Sequence, residues 1–325
     1  MAKMNQQVKV LRDIWSGFRS ARVLITANNY RIFDLLTKPK YAAAISRKLD
    51  IDLRATEILL DALTGLGLLK KSANNYRNSS ISNRFLVEGS PYYQGDIIRH
   101  ADTLWRNWSG LDEVVKTGKP ARKAHNHEAF ILGMHNLASL KAKDVIKTIG
   151  LRGVKTALDL GGGPGTYSIE MAKKGVKVTL FDFPETIEIA ERLIEEQELK
   201  DIRFIIGDFT TEDVGKGYDL IFMSQILHSY SEWSNRKILR KCRRALNEGG
   251  RIVIQEFYIS ENRTHPVQNA LFSVNMLVNT QAGRCYAPKE IKSWLSQSGL
   301  KNIHEKPMED TVLIIGSYES VSFTQ

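Results

Sequence analysis

The stretch ALDLGGGPGTYSIEMAKKG (157–175) sets Asp159 near the end of an apolar run and follows it with glycine at 161, 163 and 165. Glycine at such spacing permits a tight turn and a close backbone approach to a ligand, and amide N–H groups at the start of the helix that follows can face an anionic or polar group. Nucleotide, flavin and methyl-donor proteins all use glycine loops. A dinucleotide fingerprint beginning at Gly161 would need glycine where Thr166 stands, and a phosphate loop would need a Gly-Lys-Ser/Thr ending that is absent. What remains is Asp159-x-Gly161-x-Gly163-x-Gly165. Two further apolar runs also end in an acid beside an aromatic: VKVTLFDF at Asp182 and Phe183, IRFIIGDF at Asp208 and Phe209. An acid in the first of these positions can accept from both hydroxyls of a ribose. In the second it can accept from an adenine amino group while a flat apolar surface covers the ring. Each acid alone is equally consistent with a helix cap; three in register after successive runs point to an adenosyl ligand. A fourth run, YDLIFM, is followed by SQILHSYSEW, which places His228 just past its end.

These positions require strands that end together. From residue 154 onward, apolar β-like runs (VKTALDL, VKVTLFDF, IRFIIGD, YDLIFMS, GRIVIQEF, then KNIHEKPM and TVLIIGSYE) alternate with helical stretches. That texture predicts an α/β domain with a mostly parallel sheet and helices on both faces, whose ligands bind at the carboxyl ends of the strands. The first ~100 residues read differently. AAAISRKLDID and LRATEILLDALTGLGLLKK have helical periodicity, with Ile58, Leu59, Ala62, Leu63 and Leu66 expected on one face until Gly67 breaks the pattern; LLKKSANNYRNSSISNRFL then alternates around an Asn-rich turn. Two short helices and such a hairpin make a winged helix. The expected organisation is a winged-helix domain over 1–100, a helical connector over 101–148, and a Rossmann-like domain over 149–325.

The glycine-loop spacing resembles the S-adenosylmethionine loop of Rossmann-like methyltransferases. Over nearly its whole length the chain resembles the small-molecule O-methyltransferases of the caffeate and hydroxyindole type, including bacterial relatives. DLGGGPG, LFDFP, GDF, ILHSYSEWSNRKILRKCRRALNEGGRIVIQEF and NMLVNTQAGRCY carry the likeness. The resemblance implies S-adenosylmethionine as cofactor, S-adenosylhomocysteine as product, and a homodimer built by the N-terminal domain. It assigns His228 as the base that takes a proton from a phenol or enol, a task suited to an imidazole at neutral pH. Glu256 becomes the acid that orients it. The pocket walls it implies are Phe130, Met134, Asn275, Met276 and Asn279. Two departures stand out: Ser224 occupies a cofactor-side position that is often lysine, and Cys285 stands where plant members carry a second glutamate. The second leaves open a base-poor site that methylates carbon.

The chain's 325 residues, 42% of them hydrophobic, suffice for two cored domains. Nothing approaches the roughly 20 unbroken apolar residues of a membrane span, and the N-terminal MAKMNQQVKVLRDIW lacks a secretory apolar run, so the cytoplasm is the expected compartment. Cys242 and Cys285 form no paired spacing and read as free thiols. The HNH at 125–127 reads as a polar stretch between helices, and no bound metal is expected. The net charge of +10 raises a nucleic-acid reading, in which the winged helix binds DNA as a regulator. The candidate recognition helix, LRATEILLDALTGL, carries two acids and few basic or amide side chains, a poor groove reader. No nucleic-acid partner is therefore expected. A protein of methyltransferase fold without transfer activity is the third reading, and nothing in the glycine loop is broken to favour it.

Overall fold

The computed structural model describes residues 2–319. The chain divides into two compact units, Met1–Thr103 and Leu104–Gln325.

The first unit runs α1 (Ala2–Ser16), α2 (Phe18–Asn29), α3 (Ile32–Leu35), β1 (Lys40–Tyr41), α4 (Ala42–Leu49), α5 (Leu53–Gly65), β2 (Leu69–Ser72), β3 (Asn75–Asn78) and α6 (Ser80–Phe85), and α7 (Gly95–Trp108) carries the chain into the second. The three strands form an antiparallel sheet in the order β1-β3-β2, with the β2–β3 hairpin as the wing beside α4 and α5. Asp52 starts α5 by accepting the Ala55 amide at 2.7 Å, an N-cap that satisfies one of the helix's free donors. The apolar face read in the sequence of α5 is only partly the buried one. Thr56, Leu60 and Leu63 point inward, whereas Ile58 and Leu66 are exposed. Both stripes are spaced for a helix face, and only the packing partners decide which is covered. α1 exposes Met4, Val8, Leu11, Ile14 and Trp15.

The second unit opens with α8 (Leu111–Thr117), α9 (His127–Ser139) and α10 (Ala142–Ile149). An alternating core follows: β4 (Thr156–Leu160), α11 (Thr166–Ala172), β5 (Lys177–Asp182), α12 (Pro184–Glu195), β6 (Ile202–Ile206), β7 (Tyr218–Ser224), a 3-10 turn (Leu227–Ser229), α13 (Glu232–Ala245) and β8 (Leu246–Phe257). α14 (Val267–Asn279), α15 (Pro288–Gln297), β9 (Lys301–Pro307) and β10 (Thr311–Ser317) complete it. The sheet order is β6-β5-β4-β7-β8-β10-β9, parallel from β6 to β8, with β10 antiparallel to both of its neighbours. Successive residues serve opposite faces. Ala157, Leu220, Phe222 and Val253 pack with α10, α11 and α12, while Leu158, Ile221, Met223 and Ile252 pack with α13 and α15. This double burial explains why the strands read as unbroken apolar runs. No helix among the described residues is long and apolar enough to cross a membrane.

The strand order reverses between β4 and β7. In an open parallel sheet this is where the connections diverge to opposite faces and leave a crevice at the carboxyl ends. The glycine loop follows β4 and His228 follows β7, so the two features singled out in the sequence meet at that crevice.

Candidate active site

The glycine loop is built by close packing. Gly161, Gly163 and Gly165 all have positive φ, at 65°, 55° and 74°. A Cβ on Gly161 would stand 2.5 Å from Ile226 Cδ1, and one on Gly162 2.9 Å from Asp159 Cγ, whereas one on Gly163 would meet open space. The loop is therefore tight on its inner side and open on the other, a cradle that any side chain would narrow. The amides of Gly161, Gly163 and Gly165 are engaged by Phe181 O, Asp182 Oδ2 and Gly162 O at 2.8, 2.8 and 3.0 Å. The glycines thus supply the turn and room for close approach, their own amides being engaged within the protein.

The acids fall at the expected strand ends in different states. Asp159 is fully buried; Oδ2 accepts from Ser168 Oγ at 2.7 Å and Oδ1 has no hydrogen-bond partner. Burial pushes its pKa up to about 7, because the charged form is poorly solvated. Asp182 ties β5 to the loop, accepting from the Gly163 and Phe183 amides at 2.8 Å each, and burial again raises its pKa. Asp208 accepts from the amide and hydroxyl of Thr210 at 2.8 and 2.6 Å, which makes it a local turn former as well as a ligand candidate. Phe183 is partly exposed, but Phe209 is buried, edge-on to Phe181 and Tyr230. Phe209 consequently bounds the cradle with a ring edge near Gly161 rather than with an open face. Ser224 donates to Gln255 Oε1 at 3.1 Å. The orphaned Asp159 oxygen, the open side of Gly163 and acids at three adjacent strand ends suit a ligand carrying an ammonium group and ribose hydroxyls, which S-adenosylmethionine has.

His228 and Glu256 are brought together. The register of β7 on β8 pairs Ser224 with Gln255, so the two strands end side by side and Glu256 lies next to the turn that leaves β7. His228 Nδ1 is 2.9 Å from Glu256 Oε2, and the His228 amide donates to Oε1 at 3.2 Å. Both side chains are buried, at 7% and 3% exposure. A carboxylate only accepts, so Nδ1 is the donor in this contact, and the neutral tautomer it selects has its lone pair on Nε2. The imidazole is boxed by Phe272 (centroids 4.9 Å apart, 85°) and Phe257 (5.8 Å), whose rings lie 4.5 Å from each other. Neither phenylalanine stood out in the sequence, although Phe272 shares a helical face with Asn275, Met276 and Asn279 at spacings of three, four and seven.

The remaining candidates divide. Asn275 Oδ1 accepts from Trp108 Nε1 at 2.8 Å and from Asn279 Nδ2 at 3.0 Å, and Asn279 Oδ1 accepts from the buried Asn107 at 2.8 Å. Asn107 also accepts from the amides of Lys123 and Ala124 at 2.9 and 2.8 Å. Asn275 and Asn279 thereby tie α14 to Trp108 and Asn107, and through Asn107 to residues 123 and 124, as well as lying on the Phe272 side of the helix. Met276 is buried, Met134 half-buried and Phe130 partly exposed on α9. Cys285 packs with Ile259 and Ala287, its thiol donating to Asn269 O at 3.3 Å and pushed up to about 11 by burial. It is an inert thiol in a packed cluster, no substitute for a second acid. In the HNH stretch, Arg122 donates to His125 Nδ1 at 2.6 Å, Asn126 caps α9 and His127 Nε2 meets Thr186 Oγ1 at 3.1 Å. Among the described residues no three His, Cys, Asp or Glu side chains converge as a metal site would require.

The fold and the crevice define a Rossmann-like, S-adenosylmethionine-dependent methyltransferase. A family model of the O-methyltransferase domain matches residues 93–301, and one of the O-methyltransferase dimerisation domain matches residues 13–88. The chain belongs to that O-methyltransferase family. It is 31% identical, over 90% of each chain, to 3-hydroxy-5-methyl-1-naphthoate 3-O-methyltransferase of Streptomyces sahachiroi. It is 28% identical to the acetylserotonin O-methyltransferase of Homo sapiens, over 93% of this chain and 95% of the other. Human N-acetylserotonin methyltransferase, solved in complex with SAM, superposes with a TM-score of 0.89 at 26% identity, covering 97% of this chain and 98% of that one. PigF, solved with SAH, gives 0.87 at 26% identity, covering 95% of this chain and 99% of that one.

Proposed function

We propose that this enzyme methylates a hydroxyl of a small, planar aromatic acceptor, with His228 as general base and Glu256 as its orienting acid. The buried His228–Glu256 pair inside an aromatic box carries the reading: an imidazole held at Nδ1 by a carboxylate, so that its other nitrogen can take a proton, beside phenylalanines that suit a flat ring. The relatives support the acceptor class, since their names specify a hydroxynaphthoate and acetylserotonin. Bound at the glycine cradle, S-adenosylmethionine supplies a methyl group on a positively charged sulfur that leaves as a neutral thioether. The protein's own work is then positioning and one proton transfer. Nε2 accepts the hydroxyl proton as the oxygen becomes nucleophilic, and Glu256 stabilises the imidazolium through Nδ1–H. Asp159, Gly161, Gly163, Gly165, Asp182, Phe183, Asp208, Phe209 and Ser224 hold the cofactor on this reading. Phe130, Met134, Asn275, Met276 and Asn279 bound the acceptor side. Cys285 supports that wall from behind through the Ile259 cluster.

The dimer is proposed to form over the exposed stripe of α1, Met4, Val8, Leu11 and Trp15, whose 4-3-4 spacing is a continuous helical seam. Incubation of the purified protein with S-adenosylmethionine and a panel of hydroxyarenes, followed by mass spectrometry, tests the activity. His228→Ala should lower turnover about a hundredfold or more while leaving S-adenosylhomocysteine affinity in place. Near-normal turnover in that variant would remove His228 as the base and leave carbon or a pre-ionised oxygen as the atom methylated.

A further inference from the structure

We infer that Asn235 is a positioning residue for His228, fixing the peptide unit that carries the base; the inference rests on His228 having that role. Asn235 lies on α13 and is fully buried. Its Nδ2 donates to Leu227 O at 2.9 Å and to Tyr230 O at 3.4 Å, the carbonyls on either side of the His228 turn. Two carbonyls fix which end of the carboxamide faces them, since only the nitrogen can donate.

The Leu227 carbonyl belongs to the same planar peptide unit as the His228 N–H, and that N–H donates to Glu256 Oε1 at 3.2 Å. One rigid plane is therefore gripped at its oxygen by α13 and at its nitrogen by β8. The imidazole is then held at Nδ1 by the other oxygen of the same carboxylate. Rotation of this plane would shift the Cα of His228 and swing Nε2 away from its line of approach. The rest of the turn is supported at other points. Tyr286 donates its hydroxyl to Tyr230 O at 2.6 Å, and Gly283 lies so close that a Cβ there would stand 2.3 Å from His228 O. Neither of these contacts the Leu227 carbonyl, whose other partner is the Tyr230 amide of the same turn at 3.1 Å, so that Asn235 is its one tie to α13.

The setting of Asn235 sharpens the point. The other buried positions of α13 on this face are Ile238, Leu239, Cys242 and Ala245, all part of an apolar core. Among them Asn235 leaves its own Oδ1 buried with no hydrogen-bond partner. A leucine, close to asparagine in shape, would bury no orphaned oxygen there. The amide is a poor choice for stability alone and a good one for holding two carbonyls.

That contrast supplies the test. In Asn235→Leu, kcat for the hydroxyarene turned over fastest in the panel should fall roughly ten- to a hundredfold, as misplacement of a catalytic group by up to about 1 Å does. S-adenosylhomocysteine affinity and the KM of the acceptor should stay within about threefold. The melting temperature should hold or rise. The Nδ1 proton resonance of His228, identified by its loss in His228→Ala, should shift or broaden. Turnover and resonance both unchanged would overturn the inference, as would a fall in kcat accompanied by a matching fall in melting temperature and cofactor affinity. If His228→Ala itself retains full turnover, the base reading fails separately. The resonance in Asn235→Leu then decides alone: a shift upholds control of the imidazole by Asn235, and no shift refutes it.

Discussion

Glu256→Gln is the most discriminating perturbation, because it changes one atom in a pair whose geometry dictates the consequence. In the wild-type site Oε2 accepts from His228 Nδ1 at 2.9 Å and from the Phe257 amide at 3.3 Å, while Oε1 accepts from the His228 amide at 3.2 Å. Every neighbour of this carboxylate is a donor. Glutamine must turn its NH2 toward one of them. Placed at the Oε2 position, the NH2 opposes Nδ1–H, and the ring escapes only by moving its proton to Nε2, which disables the base. Placed at the Oε1 position, it opposes the backbone N–H of His228 and leaves the right tautomer, but without a negative charge to stabilise the imidazolium. Either arrangement forfeits one hydrogen bond to a charged group, about 1.5–3 kcal/mol, or roughly a 10- to 150-fold loss in kcat. With the NH2 at the Oε1 position the loss should be smaller than that of His228→Ala, since Nε2 keeps its lone pair there. Steady-state kinetics supply kcat, and calorimetry with S-adenosylhomocysteine supplies the control. A kcat within about threefold of wild type would refute the reasoning, and so would a loss explained entirely by weaker cofactor binding.

Asp182→Ala should weaken S-adenosylhomocysteine binding by roughly 10- to 150-fold, from about 1.5–3 kcal/mol of lost hydrogen bonding, because it removes the bond to the Gly163 amide together with the acceptor proposed for the ribose; calorimetry reads it directly. Asp159, whose pKa rises from 3.8 to about 7 in the fold, keeps its proton over a range in which the unfolded chain has lost it. Unfolding then releases a proton between those values, so this group's contribution to stability falls as pH rises from about 4 to about 7. Asp159→Asn, which can still accept from Ser168, should lack that fall, and paired melting curves at pH 4 and pH 8 should show the variant's advantage only at the higher pH. Leu11→Asp with Trp15→Asp should shift sedimentation from dimer to monomer, because both residues lie on the exposed seam of α1.

The parallel sheet was legible in the sequence because its strands are buried on both faces and read as unbroken apolar runs bounded by polar turns. The acids and His228 were legible for a related reason, as polar residues at the carboxyl ends of those runs. What the one-dimensional pattern could not convey was which of two equally spaced stripes is covered. On α5 the expected face included Ile58 and Leu66, and both are exposed. Spacing defines a face, but burial depends on the neighbours that α2, α4 and β2 supply. Asp208 and Phe209 show a second limit. The motif is present where it was expected, yet the carboxylate is shared with Thr210 and the ring is sunk into the core, because turn chemistry and core packing compete for the same side chains. Phe272 and Asn235 show a third: Phe272 lies far from His228 in the chain and Asn235, although inside the same quoted stretch, has no chemistry of its own to mark it, and their importance arises only when α14 and α13 pack against the turn.

The strand register also explains why a histidine can stand immediately after an apolar run. β7 must be apolar to lie at the centre of the sheet, and the sheet's switch point must leave its carboxyl end open. A buried imidazole there would be costly without a partner for Nδ1. Because β8 runs parallel to β7 and in register with it, the partner can come from the adjacent strand end, two residues beyond the Met223–Ile254 pair. Glu256 occupies that place, the left-handed Gln225 at φ 57° turns the chain, and the His228 amide and ring then meet the same carboxylate. The same parallel geometry that hides the strands from water thus sets carboxylate and imidazole side by side, with Nδ1 engaged and Nε2 as the nitrogen to which the proposed mechanism gives the proton transfer.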